Sequence, residues 1–203
     1  TRVNNFTEGD WQKAHRCLEY LNSEPELGLT LRIGGKNEMK VSLYADASYA
    51  VHADSKSHSA GVVKVGHATV ASKSTKQKLV TRSTTEAELV CATDMLNKGL
   101  AQRDFLKAQG YQVGPVILHQ DNMSTIKMIT NGKSTSQRTR HINVRYFFMR
   151  EMIDSGEMQV VYTSTDDMVA DILTKPLQGK QFLKLRAILL SSIPPKQMEK
   201  KQA

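Results

Sequence analysis

Four acidic residues stand where the chain changes character. Asp46 ends the alternation Val41-Ser42-Leu43-Tyr44-Ala45, which reads as a strand. Glu88 falls in the first turn of a helical pattern that starts near Thr85. Asp121 follows the apolar stretch Val116-Ile117-Leu118-His119-Gln120. Asp171 sits on a helix expected after the last strand. Charged side chains avoid such places unless they are paired or bound to metal. Converging carboxylates repel one another without a cation, and this many hard oxygen ligands suit magnesium or manganese. Two such ions about 3.5–4 Å apart can activate water and stabilise the leaving oxygen of a phosphodiester. Taken singly, each acid reads equally well as a solvated cap or loop residue. Four in this order of strands and helices favour the metal site.

The elements that must position these acids follow from periodicity. Trp11, Ala14, Leu18 and Leu21 recur at helical spacing. After a turn at Ser23-Glu24-Pro25, Leu27, Leu29, Leu31 and Ile33 alternate as a short strand would. Gly34-Gly35-Lys36-Asn37 is a break. Three units follow from it: residues 1–38, a main domain at 39–190, and a tail at 191–203 expected to be disordered. In the main domain, strand Val41–Asp46 precedes a loop from Ala47 to Ser59. Ala60–Val65 and Ala68–Ser72 form a hairpin around Gly66. A helix runs from about Thr85 to Gly110, with a capping box from Ser83 and Glu86 or from Thr85 and Glu88. Strand Val116–Gln120 follows, and Asn122 caps a helix through Ile129. Gly132 to Gln137 is a polar loop. Arg138–Asp154 is a helix with Ile142, Tyr146, Met149 and Ile153 on one face, ended by Gly156. Met158–Thr163 is the last strand. Thr165 caps a helix that Pro176 stops, and Gly179–Leu190 is helical. The order implies an α/β fold, a mixed sheet flanked by helices.

Composition sets wider bounds. The chain has 203 residues, of which 39% are apolar, enough for one compact core without disulfides. Cys17 and Cys91 are far apart and in no ligand pattern, so both read as reduced core thiols. The nine methionines read as core fillers. His52, His58, His67 and His119 have no ligand spacing and read as loop, core or surface residues. No apolar run approaches the roughly 18 residues of a membrane span, and no signal peptide opens the chain. The start at Thr1 fits a piece of a longer protein. A net charge of +8 and a pI near 9.5 fit an anionic partner, nucleic acid above all, or plain solubility.

Five stretches carry a family resemblance: Tyr44-Ala45-Asp46-Ala47-Ser48, Ser83-Thr84-Thr85-Glu86-Ala87-Glu88, Gln120-Asp121-Asn122-Met123-Ser124-Thr125, Thr139-Arg140-His141-Ile142-Asn143-Val144-Arg145-Tyr146-Phe147-Phe148 and Ala170-Asp171-Ile172-Leu173-Thr174-Lys175-Pro176-Leu177. In this order, over residues 39–190, they resemble the ribonuclease H segment of the Pol polyproteins of copia-type LTR retrotransposons. Residues Asp10 to Leu31 resemble the end of the region that links the reverse transcriptase to it. The resemblance implies a ribonuclease H-like fold, a five-stranded mixed sheet whose first three strands are antiparallel. It implies an endonuclease that hydrolyses the RNA strand of RNA–DNA hybrids during reverse transcription, with two Mg2+ ions that Mn2+ can replace. Asp46 would bridge both ions, Glu88 and Asp121 would complete one site, and Asp171 the other. Glu86 lies in the same motif. Glu88 is preferred, because Glu88-Leu89 and the small and apolar residues after it look more like the cellular enzymes, and only one of two glutamates two apart on a helix can face Asp46. The implied partners are the hybrid and the reverse transcriptase part of the same polyprotein, with no membrane. The implied location is cytoplasmic, in the element's virus-like particle, with the nucleus as a second possibility. One departure is that Thr163-Ser164-Thr165-Asp166-Asp167 lacks the histidine that many ribonucleases H carry there, which lowers the expected turnover.

Two basic stretches suit a phosphate backbone, or a solvated surface. The first holds Lys73, Lys76, Lys78 and Arg82; the second includes Arg138, Arg140 and His141, with no acid between Arg138 and Arg150. Ser48, Asn122 and Ser124 lie near the acids and suit 2′-hydroxyl contacts. Competing readings fare worse. Tyr44-Ala45-Asp46-Ala47 lacks the second aspartate of a polymerase motif. Asp46, Asp121 and Glu157 mimic an integrase triad, but Glu157 opens a strand and leaves Glu88 and Asp171 without a role. A non-catalytic or host-adopted binding or connector module remains the alternative from another class; four intact acids argue against a decayed site.

Overall fold

The structure is a computed structural model that describes residues 5–35, 39–130 and 140–192. Its sheet contains β1 (Val41–Ser48), β2 (His58–Val65), β3 (Ala68–Lys76), β4 (Val116–Gln120) and β5 (Met158–Tyr162), in the order β3-β2-β1-β4-β5. β1 pairs antiparallel with β2 and β2 with β3, while β1 with β4 and β4 with β5 run parallel. This is the five-stranded mixed sheet of the ribonuclease H-like fold. The helices are α1 (Glu8–Ser23), α2 (Thr84–Ala108), α3 (Met123–Thr130), α4 (Arg140–Asp154) and α5 (Gly179–Leu189).

Alternation along β1 explains how the sheet is covered. Val41, Leu43, Ala45 and Ala47 are buried in one core with Leu89, Ala92 and Leu96 of α2 and Ile142, Tyr146 and Met149 of α4. Gly61 of β2 lets α2 lie close, since a Cβ there would come within 2.4 Å of the Met95 side chain. The polar set of β1, Ser42, Tyr44, Asp46 and Ser48, points the other way. On the outer part of that face, Met168, Val169, Ala170 and Leu185 are buried beside Ala60 and Val62. Gly156 ends α4 at a φ of +72°, a conformation favoured in glycine.

The structure corrects several expectations. Leu27 to Ile33 is not a strand. Its backbone is tied to the body by a hydrogen bond from the Thr30 amide to the Leu190 carbonyl (2.9 Å). β1 and β3 run further than expected, so Lys73 and Lys76 are strand residues. The segment after β5 is not an α-helix but two 3-10 turns, Thr165–Asp167 and Val169–Leu173. Thr165 does not cap it but is the first residue of the first turn, and Ser164 stands at the cap position. Cys17 is exposed rather than a core thiol, whereas Cys91 is buried. No residue of α1 is buried. The loop at 132–137, Arg138 and the tail from 193 lie outside the described residues.

Candidate active site

Strand register brings the first two acids together. Tyr44 of β1 lies beside His119 of β4 in the parallel pairing. Two residues on, Asp46 and Asp121 therefore reach the same carboxyl-terminal edge, where parallel sheets carry their ligand sites. Glu88 arrives from the first turns of α2, whose N-cap is Ser83; the Ser83 hydroxyl accepts from the Glu86 amide. The return bond of the expected capping box goes one residue further back, from the Arg82 amide to Glu86 Oε2 (2.8 Å). That contact uses Glu86 outside the site and leaves Glu88 to face Asp46. Asp46, Glu88 and Asp121 each offer a carboxylate oxygen within 4.8 Å of the others. Asp46 and Glu88 are buried at 3% exposure, and Asp171 at 2%.

Neighbours orient each acid. Glu88 Oε1 accepts from the Ala47 amide (3.1 Å), and Oε2 accepts from Gln120 Nε2 (3.3 Å). The same buried Gln120 accepts through Oε1 from the amides of Asp121 (2.9 Å) and Asn122 (3.0 Å). Thr165 Oγ1 donates to Asp121 Oδ2 at 3.0 Å. Thr174 Oγ1 donates to Asp46 Oδ2. Lys175 Nζ lies 2.7 Å from Asp171 Oδ2 and 3.5 Å from Asp46 Oδ1.

The electrostatics follow from crowding. Burial, and then the Asp46 charge, push Glu88 well above the usual carboxylate range. Burial also raises Asp171 to about 6, with the charges of Asp46 and Asp121 adding and the Lys175 hydrogen bond opposing. Burial would lower Lys175, but Asp171 and Asp46 outweigh it and its pKa is raised. Beside the acids, Tyr44 and His119 stack at 4.2 Å. Burial moves His119 down to about 4 and Tyr44 up to about 12, so this pair adds no charge at neutral pH.

These residues fit divalent cations. The donors are all carboxylate oxygens, which suit magnesium or manganese. One of them, Asp171 Oδ1, is buried without a hydrogen-bond partner. Such an atom costs free energy unless a ligand satisfies it.

The other sequence candidates are less concentrated. Ser48 ends β1, and its hydroxyl donates to the Thr174 carbonyl (3.2 Å). Asn122 caps α3 by accepting from the Ser124 (2.9 Å) and Thr125 (3.2 Å) amides, leaving Ser124 exposed. Lys73, Lys78 and Arg82 are exposed, and Lys76 pairs with Asp54 at 2.7 Å. Arg140 and His141 line a groove of about 700 Å³ between α2 and α4, together with Asn97 and Phe148. The second basic run is less free of acids in space than along the chain: Arg145 pairs with Asp94, and Arg150 with Asp154. Glu157 meets Arg103 at the amino end of β5, a strand's length from Asp121, so no integrase-like triad forms. Sequence reasoning missed Gln120, Thr165, Thr174 and Lys175 as site neighbours. Lys175 had a signal, since it stands four residues after Asp171.

No family model matches the chain. It is 33% identical over 192 residues to the retrovirus-related Pol polyprotein from transposon RE2 of Arabidopsis thaliana, a match covering 93% of this chain and 13% of that protein. It is 31% identical over 173 residues to the polyprotein from transposon TNT 1-94 of Nicotiana tabacum, covering 85% of this chain and 13% of that one. The chain thus spans about an eighth of the length of these curated relatives. Among solved structures, LC11-RNase H1, isolated from compost, is similar with 13% identity and a TM-score of 0.48, over 66% of this chain and 92% of that one. The homologues are retrovirus-related Pol polyproteins of transposons, the class that the sequence motifs resemble.

Proposed function

We propose that this homologue of transposon Pol polyproteins is a ribonuclease H that cuts the RNA strand of RNA–DNA hybrids with two divalent cations. The observation that carries this reading is the convergence of Asp46, Glu88 and Asp121 on one sheet edge, with Asp171 beside them. Asp46, Glu88 and Asp121 would hold one ion, and Asp46 with Asp171 the other. Magnesium or manganese there supplies water activation and stabilisation of the leaving oxygen. The chain's part is to fix the carboxylates before substrate arrives. Gln120 and the Ala47 amide set Glu88, while Thr165 sets Asp121 and Thr174 sets Asp46. Water attacks the RNA phosphorus, the bond to the 3′ oxygen breaks, and the products end in a 3′-hydroxyl and a 5′-phosphate.

Substrate binding belongs to the same proposal. Lys73, Lys76, Lys78 and Arg82 of the first basic stretch, and Arg138, Arg140 and His141 of the second, would meet phosphates. Ser48, Asn122 and Ser124, next to the acids, would read 2′-hydroxyls. The reverse transcriptase part of the polyprotein is the proposed partner, and a virus-like particle in the cytoplasm, or the nucleus, the proposed location.

The test is cleavage of a labelled RNA–DNA hybrid with magnesium, with manganese and with a chelator, beside Asp46→Asn. Metal-dependent cutting of the RNA strand, lost in the variant, is expected. A folded protein that binds hybrid and cuts it under no condition would assign this chain a binding or connector role. Products with a 2′,3′-cyclic phosphate would overturn the chemistry.

A further inference from the structure

The carboxylate cluster is electrically lopsided. Among the described residues, the ion pairs to it both come from Lys175, and they go to Asp46 and Asp171. Glu88 and Asp121 receive only neutral donors: the Ala47 amide, Gln120 and Thr165. Among the described residues, Glu88 and Asp121 therefore have no ion pair of their own and meet the lysine only through the shared Asp46. The other half already contains an ammonium. Asp171 is divided in the same way. Its Oδ2 takes the lysine, while its buried Oδ1 has no hydrogen-bond partner.

Resting on the metal-dependent reading above, we infer that the Lys175 ammonium stands in for one of the two divalent cations, between Asp46 and Asp171, and must withdraw before that ion can bind. An ammonium is a compact point charge on a flexible four-carbon stem, so it can neutralise two carboxylates and still leave them. The way out is open, because the Lys175 side chain is 36% exposed while the two aspartates are nearly sealed. A single positive charge with hydrogen-bond donors leaves Asp171 Oδ1 unsatisfied. A divalent ion with several oxygen ligands can take it up. Loading is then sequential. The first ion enters the Glu88 side, where only the longer contact to Asp46 opposes it. The second competes with the lysine and binds more weakly. Lys175 is a placeholder that limits occupancy of the second site, not a catalytic residue.

The experiment counts Mn2+ rather than products. Free Mn2+ is followed by its electron paramagnetic resonance signal during titration of the full chain, as wild type, Lys175→Gln, Lys175→Arg and Asp46→Asn. Wild type is expected to take up two ions with unequal affinities. In Lys175→Gln the second dissociation constant should fall about fivefold, the scale of one solvent-exposed ion pair, with the first falling less. Lys175→Arg should keep the second site weak. A measurement on wild type guards against misfolding of the glutamine variant. With lysines isotopically dimethylated, which keeps their charge, the Lys175 resonance should move with the second equivalent of Mg2+ and not the first; its absence from Lys175→Arg identifies it. A second dissociation constant unchanged in Lys175→Gln, or a Lys175 resonance that moves with the first ion, would overturn the inference. If that happens while Asp46→Asn loses Mn2+ and wild type cuts hybrid, the lysine assignment alone fails. If folded wild type and Lys175→Gln both take up no Mn2+, the metal-dependent reading fails with it.

Discussion

The two rims of the carboxylate cluster are built differently. Glu88 and Asp121 stand on, or one residue beyond, α2 and β4, and the buried Gln120 ties both to the sheet. Asp171 stands on a five-residue 3-10 turn outside the sheet, with its partner Lys175 four residues on. The first rim is fixed by long-range packing that forms with the core. The second also packs on β1 and β2, but its acids are paired with the flexible-stemmed Lys175 ammonium. A site assembled in this way has one coordination position ready with the fold and another that can adjust to an ion or substrate.

The largest expected effect comes from Asp46, which both rims share. Asp46→Asn should lower hybrid cleavage roughly a thousandfold or more, since it removes several kcal/mol of charge stabilisation. Its thermal unfolding should stay within a few degrees of wild type, a range that a surface-scale change of about 1 kcal/mol would produce. Near-normal cleavage would remove Asp46 from the mechanism.

Next comes a pH test of the adjustable rim without metal. Asp171 has a folded pKa raised to about 6, so the folded state binds its proton more tightly than the unfolded chain does. Its stabilising contribution is full below the ordinary aspartate value and is lost as pH rises through about 6. Denaturant unfolding in chelator should show stability falling across that window, and Asp171→Asn should flatten the fall. An identical slope in the variant would show that the crowding is relieved in solution.

Smaller effects should separate the rims. Gln120→Leu removes a donor from Glu88 and an acceptor for two amides, so it should cost about tenfold in cleavage and about 1–3 kcal/mol in stability. Thr174→Val removes one hydroxyl from the Asp171 side and should cost only a few-fold in cleavage, with stability almost unchanged. Equal losses from both, measured side by side, would erase the distinction drawn here.

Much of the architecture was readable from short-range chemistry. The alternation ending at Asp46, the Ser83 cap before α2, the apolar run before Asp121, the Asn122 cap and Gly156 after α4 each mark an element by a local rule, and each stands where expected. Helix geometry said only that one of Glu86 and Glu88 can face Asp46, and the choice of Glu88 came from the resemblance. The failures are equally specific. Leu27 to Ile33 alternates like a strand, yet it pairs with no strand among the described residues. The segment after Thr165 has helix-like composition, but the Thr165 hydroxyl goes to Asp121 and the backbone winds into tighter turns. Arg145 of α4 meets Asp94 of α2, a pairing that no linear count reveals, whereas Arg150 and Asp154 stand at readable i,i+4 spacing.

By itself the sequence determined most of the elements, the positions of the four acids and their resemblance to transposon polyproteins, because periodicity, caps and motif order are local properties of the chain. Only the tertiary structure decided which oxygens meet and which cation meets them. The parallel register of β1 on β4 puts Asp46 beside Asp121 across 75 residues of chain. The fold of the turn after β5 then brings Lys175 between Asp46 and Asp171. Both depend on long-range packing, in which the burial of apolar faces, and not the acids themselves, selects the pairing.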